Sequence, residues 1–353
     1  MSASNEGARL ARQAYDLTSD LMRPSPSIYW ADLGLTAIVT YAAFAMAVLA
    51  HSALATVAWS LISLLALYRG VSFIHEITHL RPDEVPGFRL GWNLLIGVPA
   101  LTPSFMYEGV HNLHHAKTRY GTPLDPEYLP LSHYPPAKIL LFVLIPLLAP
   151  LGVALRFGII APLTFLSPKV RVWATRKTSA LTINPGFART DIDQSKRWAW
   201  RAQELACWAW SWTLAAGVIS GRIPLRVLGL AAAIFAGMAF INQLRTVAAH
   251  AWENESEPMT FEEQFLDSVN VPPPALLPAL WAPVGLRYHA LHHLLPRLPY
   301  HSLGKAHARL AAALPASYRS VEQKNLASGL AALLQRSRAA TADRAEAARA
   351  MGR

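Results

Sequence analysis

Thirteen histidines occur in this chain of 353 residues, and most of them fall in tight groups. His75-Glu76-Ile77-Thr78-His79, His111-Asn112-Leu113-His114-His115 and His289-Ala290-Leu291-His292-His293 form three boxes, and His250 stands singly ahead of the third. On a helix, residues at i, i+3 and i+4 share a face. His75 and His79 stand at i and i+4, and the other two boxes give i, i+3 and i+4. Each box therefore aims two or three imidazoles at one point. Neutral imidazole suits iron, zinc and copper. Burying so many rings without metal would leave many polar nitrogens to satisfy, so the boxes read as metal-binding. His51 and His133 read as plain loop residues.

Long apolar segments must position these boxes. The chain is 53% hydrophobic and only 15% charged, against roughly 25% charged in an ordinary soluble domain, and its mean hydropathy is +0.24. Spans are expected at about 29–50, 53–74, 204–220 and 225–244, each close to the length that crosses hydrocarbon as a helix. They form two hairpins, and the first has almost no loop. Arg69, near the end of the second span, is expected to snorkel to the interface. Residues 139–166 are apolar but interrupted by Pro146, Pro150, Arg156 and Pro162. A proline in a helix interior costs about 3 kcal/mol, so this stretch reads as interfacial or re-entrant. No signal peptide is read in the first residues.

The net charge of +10 suits nucleic acid or an anionic membrane alike. Because the basic residues flank the apolar runs, a membrane is expected and nucleic acid is not. The loop from Ser167 to Arg201 carries Lys169, Arg171, Arg176, Lys177, Arg189, Lys196, Arg197 and Arg201 against Asp191 and Asp193. The positive-inside rule makes it cytoplasmic. The boxes and His250 then meet at the cytoplasmic end of the bundle, provided that 139–166 makes no odd crossing. The lone Cys207 excludes a disulfide framework and a cysteine-ligated zinc or iron–sulfur site.

The first box is literally H-E-x-x-H, the pattern of a zinc metalloprotease with a glutamate base. Zinc needs three protein ligands and one open position, which leaves the other two boxes unused. Eight or nine histidines suit two metals, and paired non-haem iron that activates O₂ is the preferred reading over the protease.

HEITH, HNLHH and HALHH, in that order and separated by apolar hairpins, resemble the three histidine boxes of the membrane fatty acid desaturase family, which also contains hydroxylases and ketolases. TRYGTPLDPEY after the second box and LLPRLPYHSLGKAHARL after the third extend the likeness over roughly 29–310. The resemblance implies an all-α integral membrane protein of about four transmembrane helices in two hairpins, with interfacial helices and a cytoplasmic histidine-rich di-iron cap. Residues 1–28 and 311–353 are then cytoplasmic terminal segments. It implies two iron ions held by His75, His79, His111, His114, His115, His289, His292 and His293, with His250 as an additional ligand. Glu76 is expected to orient a ligand histidine, and Asp125 and Glu127 either do the same or cap a turn. His301 and His307 are placed outside the ligand set, in supporting or interfacial positions. Thr246 stands where some relatives have an asparagine, so no role passes to it.

The implied reaction is O₂-dependent desaturation of an acyl chain, with hydroxylation or ketolation by the same scaffold as the alternative. Trp208, Trp210 and Trp212 are read as bundle core or interfacial belt rather than site residues. There is no haem-binding His-Pro-Gly-Gly segment, no C-x-x-C pair and no Gly-rich dinucleotide fingerprint. Electrons are therefore expected from a separate protein of ferredoxin or cytochrome b5 type, steered by the basic face.

Overall fold

The computed structural model describes residues 3–190, 193–274, 277–314 and 316–351; Asp191 of the basic loop lies outside them. Among the described residues there is no strand. The helices that matter here are α1 (Ala3–Thr18), α2 (Pro26–Leu49), α3 (Ala53–His79), α4 (His111–His114), α5 (Pro136–Leu166, in short segments), α6 (Arg197–Ile219), α7 (Leu225–Val247), α8 (Phe261–Asp267), α9 (His289–Leu294), α10 (Tyr300–Ala313) and α11 (Leu326–Met351).

The first hairpin forms as its sequence dictates. Pro26 opens α2 at a position where its missing N–H costs nothing. Ser52 caps α3 by accepting from the Ala55 N–H at 3.2 Å. Only three residues separate the two helices. Ser63 donates to the Thr40 carbonyl across the pair. Arg69 pairs with the Asp32 carboxylate on α2, which gives its charge a partner within the hairpin.

Four helical runs are long and apolar enough to cross a membrane: α2, α3, α5 and α7. Outward-facing apolar residues such as Ile219 and Leu225, 83% and 74% exposed, require an apolar surrounding. This set differs from the expected one. The predicted 204–220 span falls in the longer, C-terminal part of α6, whose first seven residues carry Arg197 and Arg201. Residues 136–166, read as interfacial or re-entrant, are helical almost throughout. The prolines do not break the run because each begins a new short segment: Pro146 a 3₁₀ turn, Pro150 and Pro162 fresh α turns. There the absent N–H is one the helix would leave unpaired anyway. Arg156 is buried, donating to the Thr178 carbonyl and to Glu204 on α6. Arg171 and Thr164 share that carboxylate. Part of the basic loop is itself helical, from Pro168 to Thr178.

The two hairpin tips lie at one end, where Arg226 at the start of α7 donates to carbonyls at the end of α2. The histidines lie at the other. Tyr29, Phe73, Phe88, Trp92, Leu291 and Tyr300 belong to the largest apolar cluster there, joining α2 and α3 to the third box. Residues 268–271 form a backbone hub. Val269 donates to Ala249 and accepts from Ala290, while Asn270 Oδ1 accepts from Leu291. The hub thus fixes His250 beside the third box. The C-terminal segment is helical over Leu326–Met351, and Leu333 and Ser337 of α11 are buried against the domain.

Candidate metal centre

All nine predicted ligands come together. His75 and His79 from the last turns of α3, His111 from α4 and His292 from α9 form one group. His114, His250, His289 and His293 form a second. In each, one nitrogen per ring lies within 4.8 Å of the others. His115 stands between the groups: its Nε2 is 3.0 Å from Nε2 of His111 and 3.0 Å from Nε2 of His292. Its ring centroid is 4.4 Å from that of His293. Helical geometry explains the division. Each residue turns the direction by about 100°, so i and i+4 diverge by only about 40°. His289 and His293 therefore share a group. His292 diverges from His293 by a full step and enters the other.

The arrangement fits metal ions. Both ring nitrogens of His75, Nε2 of His79 and Nδ1 of His289 and His293 are buried without a hydrogen-bond partner, and such groups demand an explanation. Nε2 of His289 lies 2.9 Å from that of His250 and 3.2 Å from that of His293. Two nitrogens about 2.1 Å from one ion at a right angle would stand about 3.0 Å apart. Burial above all, with the mutual repulsion of neighbouring rings, holds His111, His115, His289, His292 and His293 well below the usual histidine range. For His289, His250 and Arg245 act after burial. These rings are thereby kept as neutral ligands. His114 is the exception. Burial disfavours its charge, yet Asp125, followed by Glu127 and Asp267, raises it above the usual value.

Three carboxylates orient the rings from outside. Asp125 takes Nδ1 of His114 at 3.0 Å, and Glu127 takes Nδ1 of His111 at 2.9 Å. Asp267 lies 3.2 Å from Nδ1 of His250. Each leaves Nε2 free for a metal. Burial pushes the Glu127 carboxyl up to about 7. Tyr107 bridges His111 and Glu127, and Tyr120 bridges His250 and Asp267. Sequence reasoning missed Asp267 and both tyrosines. Asp267 looks like one more acid after Glu262 and Glu263, and only its pairing with His250 singles it out.

Two expectations are corrected. Glu76 does not orient a ligand: its carboxylate is 3.8 Å from Nδ1 of His75. It accepts from the Tyr29 hydroxyl at 2.5 Å and the Tyr300 N–H at 3.1 Å, tying α2 and α10 to the first box. A glutamate so engaged is also no base for a zinc-bound water. His301 accepts from the Ser25 N–H and packs on Tyr29, in a joint with the N-terminal segment away from the centre. His307 contacts Tyr318 and Glu322. His133 pairs with Glu255 in a loop.

A cavity of about 350 Å³ opens onto the histidines. His75, His114, His250 and His289 line it together with Glu127, residues of 180–183, and residues of α3, α5 and α7 such as Val71, Ala149 and Phe235. Trp208, Trp210 and Trp212 do not line it. Trp210 and Trp212 donate to the carbonyls of Pro99 and Gly158.

Residues 50–325 match the family described as fatty acid desaturase. A ceramide hydroxylase of Caulobacter vibrioides (strain NA1000 / CB15N) is 56% identical over 336 residues, covering 95% of this chain and 95% of that protein. No solved structure matches.

Proposed function

The chain belongs to the fatty acid desaturase family, an enzyme superfamily of desaturases and hydroxylases, and we propose that it is a membrane-bound di-iron hydroxylase acting on ceramide. The observation that carries the choice of reaction is the extended identity with a ceramide hydroxylase. The desaturation expected from the boxes gives way to its alternative, because the boxes specify the scaffold and not the outcome.

One iron would be held by His75, His79, His111 and His292, and the other by His114, His250, His289 and His293, with His115 within reach of both. A bound iron pair supplies the activation of O₂ that allows an unactivated C–H bond to become C–OH. The balance is R–H + O₂ + 2 e⁻ + 2 H⁺ → R–OH + H₂O. The electrons come from a separate electron-transfer protein of ferredoxin or cytochrome b5 type.

The chain's own residues do the positioning. Asp125, Glu127 and Asp267 fix the tautomer of three ligands, so that Nε2 points inward. The apolar walls of the cavity hold the lipid and keep water from the reacting carbon. The centre faces the cytoplasm, beside the basic segment that includes Arg176 and Lys177, which attracts an acidic donor.

Expression in a host that makes ceramide but no hydroxyceramide tests the reading by mass spectrometry. A ceramide heavier by one oxygen, absent with His111→Ala, is expected. A ceramide lighter by two hydrogens would instead mean desaturation.

A further inference from the structure

The cavity contains a cation that the metal centre does not account for. Arg245 lies on the last turn of α7, five residues before His250, and lines the same cavity as His75 and His289. Among the described residues it makes no ion pair. Its terminal nitrogen meets Asn242 Oδ1 at 3.5 Å, and its guanidinium also reaches the Tyr68 hydroxyl and feels the Glu127 carboxylate from a distance. Its Nε–H is buried without an acceptor. A guanidinium carries five donors in a planar fork suited to oxygen acceptors. Near the end of a helix it gains from the macrodipole, but that does not satisfy a buried Nε–H. Repulsion from two metal ions would also disfavour an arginine here. A second group in the same cavity is equally unserved: Thr102, 4% exposed, has no partner for its Oγ1.

The wall formed by α7 is graded. Phe235, Met238 and Ala239 are apolar, and Asn242, Arg245 and Thr246 follow at the same helical spacing. The polar part adjoins His250, and the apolar part runs away from it toward the hairpin tip. A lipid lying in this cavity places its chain along the apolar part and its polar linkage beside the metals.

We propose that Arg245 binds the amide carbonyl of the substrate lipid and so confines oxygen insertion to carbons within a few bonds of that linkage, rather than deep in a chain. The proposal rests on the hydroxylase reading and adds to it a substrate-positioning residue and a regiochemistry. Arg245 touches the substrate and not the metals.

The test uses the full-length protein in membranes, supplied with ceramide and with an N-alkyl analogue lacking the carbonyl. Fragmentation by tandem mass spectrometry locates the added oxygen. With the wild type, the oxygen is expected near the linkage. Arg245→Gln is expected to raise KM for ceramide about ten- to a hundredfold, the range for losing one charged hydrogen bond, and to scatter the oxygen along the chain. Arg245→Lys is expected to recover part of the effect, and bound iron to match wild type in both variants. The analogue is expected to be a poor substrate for wild type and Arg245→Gln alike. Oxygen found far down a chain with the wild type overturns the inference, whether or not any variant folds. So does an Arg245→Gln protein with unchanged KM and position. No oxygenated ceramide from the wild type means that the reading of function has failed, and this inference with it.

Discussion

Asp267 shows what a single residue contributes that no motif announces. It holds His250 through Nδ1 while accepting from Tyr120 and Tyr128. Replacing an outer carboxylate of this kind typically costs about 10–100-fold in metal affinity. Asp267→Asn is therefore expected to lose iron to a chelator at a concentration at which the wild type keeps it, as read by iron per chain after dialysis. The histidines were legible because helical spacing announces them. Asp267 was not, because its partner comes from a segment linked to it only through the fold. Acid titration gives a second test at this scale. In the metal-free protein five box histidines have pKa values depressed below the usual 6.5. Below pH 6.5 the unfolded chain thus binds more protons than the folded one, and stability falls. The stabilisation is intact above 6.5 and is lost at up to about 1.4 kcal/mol per pH unit for each such ring. His114, raised by Asp125, works oppositely: its contribution is complete below 6.5 and is lost as pH rises through its elevated value. Glu127, raised to about 7, works in the same sense as His114, but five rings outweigh these two, so Tm of the metal-free protein should drop on acidification from about pH 7 to about pH 5.5. A Tm that rose would contradict this balance.

The helices form for reasons that sequence patterns capture unevenly. The first hairpin follows from its proline start, its serine cap and its apolar length, and its predicted bounds lie within a few residues of those found. Its joint to the rest of the fold does not follow from the pattern. Glu76, buried in the wall of the first box, accepts from Tyr29 and Tyr300, and Asp32 accepts from Tyr300 and Arg69. Tyr29→Phe removes one donor from a buried carboxylate, at about 1–3 kcal/mol. A lower Tm with iron content retained is the expected result, and iron loss without destabilisation would give Glu76 back the role first assigned to it. Gly91 lies against the edge of the Trp30 ring, where an added Cβ would stand 2.3 Å from it. Gly91→Ala should therefore destabilise by about 1–3 kcal/mol through overpacking, again read by Tm. The helical continuity of 136–166 was not legible because a proline counts as a breaker only inside a helix, and segmentation put each one in a first turn.

At the scale of the whole molecule, the chain threads so that both hairpin tips share one end and every box the other. With Cys207 replaced, a reporter cysteine at Ser52 should react with an impermeant maleimide only from the non-cytoplasmic side. Reporters at Asp83 and Lys177 should react only from the cytoplasmic side. If Lys177 labelled from the side of Ser52, α5 would be a crossing, and the basic segment would lie opposite the centre. The division of ligands also bears on biosynthesis. Neither four-histidine group can be completed by the first half of the chain, since one lacks His292 and the other lacks His250, His289 and His293 until late in translation. A ribosome-bound precursor ending before residue 289 would hold neither four-histidine group complete, so the proposed iron would be acquired only once synthesis is essentially finished. Cells short of iron would then accumulate inserted, full-length apoprotein awaiting its metal, rather than abandoned fragments.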